Sequence, residues 1–261
     1  MNTSYLDEAS ADALAADLHS KLPWLAQATE SIWLQLRRAA AESLPARVGP
    51  ILLDGPPGIG KSAWSRELAS ALQAPHLTID AVAASTGFAV AGTERGWSSA
   101  QAGRPIQAIL QHHHAGPVVV VDEICKAAAA TSNSGGRHSI QDALLGLLEP
   151  VSAAAWSCPF YRVSFDLSAV SWILTSNRID WVPPPLLTRC DVIRCSNLSP
   201  KQLLNVAEQM SKNVGLSEPA KDAALFAVEQ SCSAMKRATN LRDVKRIVEK
   251  GLALQTKPLL N

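Results

Sequence analysis

The sequence predicts an α/β domain built on a parallel sheet, followed by a small all-helical domain. Short apolar runs alternate with helix-like runs as far as about Asn197, the pattern of parallel strands joined by helical crossovers. The runs in PVVVVDE, with Val118 to Val121, and in AVSWILTSN, ending at Asn177, are continuous rather than alternating, as expected of strands covered on both faces. From Leu198 onward only helical periodicity remains.

Taken in order, residues from about Ser10 to Leu44 read as helix, with Leu25, Ala28, Ile32, Trp33 and Leu36 at helical spacing and Gly49 and Pro50 closing the segment. ILLD is a short strand. Lys61 to Leu72 is a helix with Trp64, Leu68, Ala71 and Leu72 on one face, and HLTID is a second strand. Ala81 to Gly103 is rich in small residues and reads mostly as loop. PIQAILQHHH returns to helix, PVVVVDE is a strand and TSNSGGR a flexible loop. SIQDALLGLLE is a helix with Ser139 as its cap, and AVSWILTSN and DVIRC are the last strands. Ser199, Pro200 and Gln202 supply a cap, a first-turn proline and a capping-box partner. Helices follow around Glu218 to Gln230 and Asn240 to Leu254, the last burying Leu241, Val244, Ile247 and Val248. The expected division is a helical lead-in over 1–48, the α/β domain over 49–197 and the helical domain over 198–261, with no internal repeat.

The chain has 261 residues, 47% of them apolar and 18% charged, with a net charge of +1. It can bury a sizeable core, and no bulk field draws it to nucleic acid or membrane. Cys125, Cys158, Cys190, Cys195 and Cys232 form no CxxC pair, which argues against zinc and a disulfide framework and for reduced thiols. The first residues lack a basic stretch followed by an apolar block, and no apolar run reaches membrane-spanning length. A cytoplasmic protein is expected.

LLDGPPGIGKSAWSRELASAL holds the main chemical signal. Gly55 to Ser62 fits G-x-x-x-x-G-K-[ST] between a strand and a helix. Gly55, Pro56, Pro57, Gly58, Ile59 and Gly60 would form a loop whose glycines let backbone N–H groups crowd around a triphosphate. The following helix aims its free amides and dipole at the same place. Lys61 would add a point charge on the outer phosphates, and the Ser62 hydroxyl a ligand for Mg²⁺. A proline-glycine turn with a chance lysine is the competing reading. The strand VVVVDEI ends on two carboxylates, which burial alone would penalise. Asp122 fits as the Mg²⁺ partner, through water, and Glu123 as the group that polarises the attacking water; otherwise the pair is a solvated strand end. Asn177 ends the next buried strand, where it could reach that water or simply make a turn. These signals make ATP and Mg²⁺ the expected ligands and a P-loop NTPase sheet the expected fold.

With those residues in place the chain resembles the AAA+ ATPases, and within them it is most similar to the ATPase module of the Lon proteases. GPPGIGKS, VVVVDEI and TSN are general to the class. ERGW…GRPIQAIL, FDLSAVSWILTSN, PPPLLTRCDVIR and NLRDVKRIV resemble Lon segments in the same order, from roughly Pro50 to Lys250. The resemblance implies that Arg189 is an arginine finger acting on a neighbouring subunit's nucleotide. It also implies that Arg242 is a second sensor of the γ-phosphate, in a lid formed by the helical domain. A finger implies a homo-oligomeric ring, expected to be a hexamer. The bland alternative for either arginine is a surface residue.

Departures matter too. The sequence ends at Asn261 and opens on only a helical lead-in, so neither a Lon protease domain nor a large N-terminal substrate region is expected. RGWSSAQAGRPIQ is shorter than the family's pore-loop segment and has no Tyr-apolar-Gly triplet; Trp97 either takes over the grip or packs against the phosphate-site helix. Arg178 stands where a small or neutral residue is usual, and it could face an adjacent subunit. Arg137 and His138 would face the central channel. His112 to His114 are adjacent on a helix, a poor chelate because they point apart; they suit its C-terminal dipole instead. Trp24, Trp33 and Trp181 are candidates for an interface. The expected function is ATP-driven remodelling of a macromolecular, protein partner. A non-threading, ATP-gated scaffold that recruits an effector is the alternative, and a nucleic-acid remodeller is disfavoured by the charge balance.

Overall fold

A computed structural model of the chain describes residues 2–84, 87–96, 100–127, 139–233 and 238–256. It divides into two compact units. One comprises Met1–Asp54 with Lys61–Cys195, the other Gly55–Gly60 with Ser196–Asn261. Trp97, Arg137, His138 and all of TSNSGGR lie outside the described residues.

The first unit opens with α1 (Glu8–Lys21), capped by the Asp7 carboxylate accepting from Ser10 N at 2.8 Å. A 3-10 turn, Pro23–Leu25, then leads into α2 (Ala26–Ala41). The single helix expected from Ser10 to Leu44 is therefore two. Pro23 has no N–H to continue the ladder and its ring crowds the preceding turn, so the chain breaks and folds back. The two helices pack as a hairpin, α1 burying Ala11, Leu14 and Leu18 and α2 burying Ala28, Ile32 and Leu36.

Seven strands are found among the described residues: β1 (Ile51–Asp54), β2 (His76–Asp80), β3 (Val118–Asp122), β4 (Trp156–Ser157), β5 (Ser164–Phe165), β6 (Ser171–Ser176) and β7 (Asp191–Arg194). Five form a parallel sheet in the order β2-β3-β6-β1-β7. All six residues of β6 and Val118 to Val121 of β3 are buried, which is why their sequences run apolar without alternation. β4 and β5 pair antiparallel as a separate ribbon. Register aligns the carboxyl ends: Asp54 lies beside Ser176, and Asp80 beside Asp122. In open α/β sheets that edge is where ligands bind.

The connecting helices in this unit are α3 (Lys61–Ala71), α4 (Phe88–Ala91), α5 (Arg104–His112), α6 (Ile124–Ala127), α7 (Ile140–Leu148), α8 (Pro150–Ala154) and α9 (Pro184–Leu187). α4 falls inside the stretch expected to be mostly loop. Trp64 of α3 is fully buried and its indole N–H donates to Thr29 Oγ1 at 3.1 Å, tying α3 to α2. Ser139 caps α7 by accepting from Asp142 N. α5 ends at His112, His113 turns left-handed at φ 51°, and His114 Nδ1 accepts from Gly116 N.

In the second unit α10 (Pro200–Asn213), α11 (Glu218–Ser233) and α12 (Leu241–Gln255) pack against one another. Ser199 and Gln202 form the expected capping box. Leu203, Val206, Ala224, Val228, Val244 and Val248 make the shared core; Leu241 and Ile247, expected there, are half-buried. Asn240 caps α12 with its side chain, and Leu241 N donates to the Gly58 carbonyl at 3.0 Å. That bond ties the Gly55–Gly60 segment to the helices.

Candidate nucleotide site

The glycine-rich segment bends where its sequence permits. Gly58 sits at φ 79° and Gly60 at φ 100°, backbone states that side chains disfavour. At Gly58 a Cβ would also lie 2.8 Å from Asn240 Cγ and Oδ1, so this position requires glycine twice over. From Gly60 the chain runs directly into Lys61, the first residue of α3.

Lys61 is only 7% exposed, and its Nζ donates to Asn177 Oδ1 at 2.8 Å. Burial pushes its pKa down, while Cys195, Asp122 and Asp54 pull it back up. An ammonium this far from water needs anionic company. Asp54 is part of that company: it ends β1, and its buried Oδ1 accepts no hydrogen bond among the described residues.

β3 delivers the two carboxylates. It ends at Asp122, and Glu123 then adopts φ 56°, left-handed for a residue with a side chain, a state costing about 1–2 kcal/mol. Thr175 of β6 secures this turn. It is 1% exposed, its Oγ1 accepts from Glu123 N at 3.0 Å, and the same hydroxyl donates to Asp122 Oδ1. One hydroxyl therefore fixes both acids. Asn177 Nδ2 lies 3.3 Å from Glu123 Oε1, and Lys126 Nζ donates to Glu123 Oε2 at 2.6 Å. The Glu123 bond is the leading reason the Lys126 pKa is raised. Asn177 is thus a bridge, accepting from Lys61 and donating to Glu123.

The structure brings Lys61, Asp122, Glu123 and Asn177 together. Thr175, Lys126 and Asp54 are members that sequence reasoning missed. Lys126 was findable only as a cation three residues after Glu123 in DEICK. The Asp122 carboxylate and Ser62 hydroxyl are hard oxygen donors of the kind Mg²⁺ selects. Arg189 follows α9 instead: its Nε lies 3.5 Å from Glu149 Oε2 and its Nη1 donates to the Pro185 carbonyl at 2.9 Å. Arg178 stacks on the Trp181 ring, 4.3 Å from its centroid, and its N–H donates to Ser176 Oγ. Arg242 belongs to the second unit, where its N–H donates to Asn240 Oδ1.

A parallel sheet with strand-end carboxylates, and a buried lysine that follows a glycine-rich bend, are features of the α/β P-loop fold. The profile of the ATPase family associated with various cellular activities (AAA) matches residues 51–198, and the chain belongs to that family. Among curated relatives it is similar to the mitochondrial Lon protease homologue of Yarrowia lipolytica, 32% identical over 210 residues, which are 77% of this chain and 17% of that protein. It is likewise similar to the Lon protease of Desulforamulus reducens, 31% identical over 204 residues, 76% of this chain and 25% of that protein. A peroxisomal Lon protease homologue 2 of Zea mays is 32% identical over 164 residues, covering 62% and 18%. The chain therefore spans a quarter or less of the length of these three proteins. All five cysteines are free, and no helix among the described residues is long and apolar enough to cross a membrane.

Proposed function

We propose that the chain hydrolyses ATP and uses the energy to remodel a protein partner, working as a cytoplasmic homo-oligomeric ring of expected hexameric size. The observation that carries this reading is the Glu123 carboxylate held by Asn177 and Lys126, on a turn whose amide Thr175 secures while its hydroxyl holds Asp122.

In this reading the amides of Gly55 to Gly60 and the Lys61 ammonium bind the phosphates. Ser62 and Asp122 hold Mg²⁺, which neutralises charge on the phosphate oxygens when bound. Glu123 takes the proton of the attacking water, and Asn177 orients that water through its amide. Asn177 is suited to this because it already contacts both Lys61 and Glu123. Arg189 would serve the site of a neighbouring copy, which requires it to leave Glu149. Arg242 would report the γ-phosphate from a lid spanning 198–261, with the α/β domain spanning 49–197. The protein partner is inferred from the Lon relatives, and neither nucleic acid nor a membrane is invoked.

Replacing Glu123 with Gln tests the assignment, because the amide keeps the shape and loses the base. Mg·ATP binding should persist by calorimetry while steady-state hydrolysis falls to a small residual rate. Hydrolysis at the wild-type rate in Glu123→Gln would overturn the role given to Glu123.

A further inference from the structure

We infer that Lys126 is a positioning residue for hydrolysis: its ammonium fixes one oxygen of Glu123 so that the other oxygen is the one presented to water. The inference rests on the reading of Glu123 as the base. The two oxygens have different holders. Oε2 is bound by a charged donor at 2.6 Å, and Oε1 by the neutral Asn177 amide at 3.3 Å. Charge-assisted bonds are the stronger kind, so Oε2 is the anchored oxygen. The looser Oε1 bond can be exchanged for water without leaving a charge unpaired.

The surroundings suit an anchor. Glu123 projects from a left-handed turn whose amide Thr175 secures, so its backbone is fixed while its side chain still needs an aim. Lys126 stands three residues further on in α6, and its ammonium reaches back to Glu123 Oε2. Ile124, Cys125 and Ala127 around it are buried, which roots α6 in the core. The Lys126 side chain itself is 49% exposed, so its removal leaves no cavity. A second carboxylate, Asp80, also acts on the Lys126 ammonium, and by register it lies beside Asp122 at the end of β2. Of these two carboxylates Glu123 has the larger influence and holds the hydrogen bond. A base has to be held to within roughly 0.5 Å of its working position, and neither Thr175 nor Asn177 engages Oε2.

The test is Lys126→Met, with Lys126→Arg as the conservative control, in the full chain. A half-exposed pair predicts a fall in kcat of roughly two- to fivefold. KM, the calorimetric Kd for Mg·ATP and the melting temperature should stay at wild-type values, and Lys126→Arg should recover most of the loss. On the Glu123→Gln background, Lys126→Met should lower residual turnover no further, because the group it aims is gone. Unchanged or raised kcat, a Kd or melting temperature that moves with it, no recovery by arginine, or additive losses would each overturn the inference. If Glu123→Gln itself turns over normally, the base assignment falls first, so the two failures are distinguishable.

Discussion

Thr175→Val removes one hydroxyl and little else. Valine matches threonine in shape, so the 1%-exposed site in β6 stays filled and no cavity term arises. Two hydrogen bonds are lost: Glu123 N to Thr175 Oγ1, at 3.0 Å, and Thr175 Oγ1 to Asp122 Oδ1. The first is a neutral bond worth about 1 kcal/mol and the second, to a carboxylate, about 1.5–3 kcal/mol. Asp122 is only half-buried and can recruit water, so the net loss should be about 2 kcal/mol. For a chain of this size that lowers the melting temperature by roughly 4–8 °C. The functional loss should be larger than stability alone explains. The strap on the Glu123 amide holds a left-handed turn that relaxes when released, and misplacing a base by about 1 Å costs on the order of a hundredfold. Differential scanning calorimetry and a coupled ATPase assay well below the melting temperature separate the two effects. Wild-type melting together with wild-type kcat in Thr175→Val would refute the claim that this hydroxyl organises both acids.

Three further outcomes follow from named contacts. Gly58→Ala introduces a Cβ at φ 79° against the capping side chain of Asn240; strain and a displaced cap should destabilise the chain by roughly 1–3 kcal/mol and weaken Mg·ATP binding, read by thermal melts and calorimetry. Arg189→Ala should leave Mg·ATP affinity intact and lower turnover only in assembled protein, measured by ATPase activity against chain concentration; full activity would return Arg189 to a surface role paired with Glu149. Burial pushes the Cys195 thiol up to about 11 and Cys190 to about 12. At pH 8 only about one thiol in a thousand and one in ten thousand, respectively, is then the reactive thiolate, so native protein should resist iodoacetamide at both positions while unfolded protein reacts, as peptide mapping would show.

The candidate site is legible in sequence to the extent that it is local. Gly55 to Ser62 and the strands ending at Asp122 and Ser176 are contiguous patterns, and continuous apolar runs reveal a sheet covered on both faces. What depends on register was not legible. Thr175 reads as one more β-branched strand residue until the pairing of Val121 with Leu174 brings the ends of β3 and β6 together. Asp54 gains meaning only beside Lys61, and the Asn240 constraint on Gly58 joins residues far apart in the chain. The helix break at Pro23 lies inside a long stretch of apolar periodicity that reads as one helix. β4 and β5, two residues each, are too short to show a period. The Arg178–Trp181 stack gives Arg178 an intramolecular partner, which residue type alone could not supply.

The most direct measurement is a calorimetric titration of the full chain with Mg·ATP, repeated on Lys61→Ala. Saturable binding of one nucleotide per chain, lost or strongly weakened in the variant, is the predicted result. No heat of binding by the wild-type chain under conditions that favour assembly, or equal affinity in Lys61→Ala, would contradict the account.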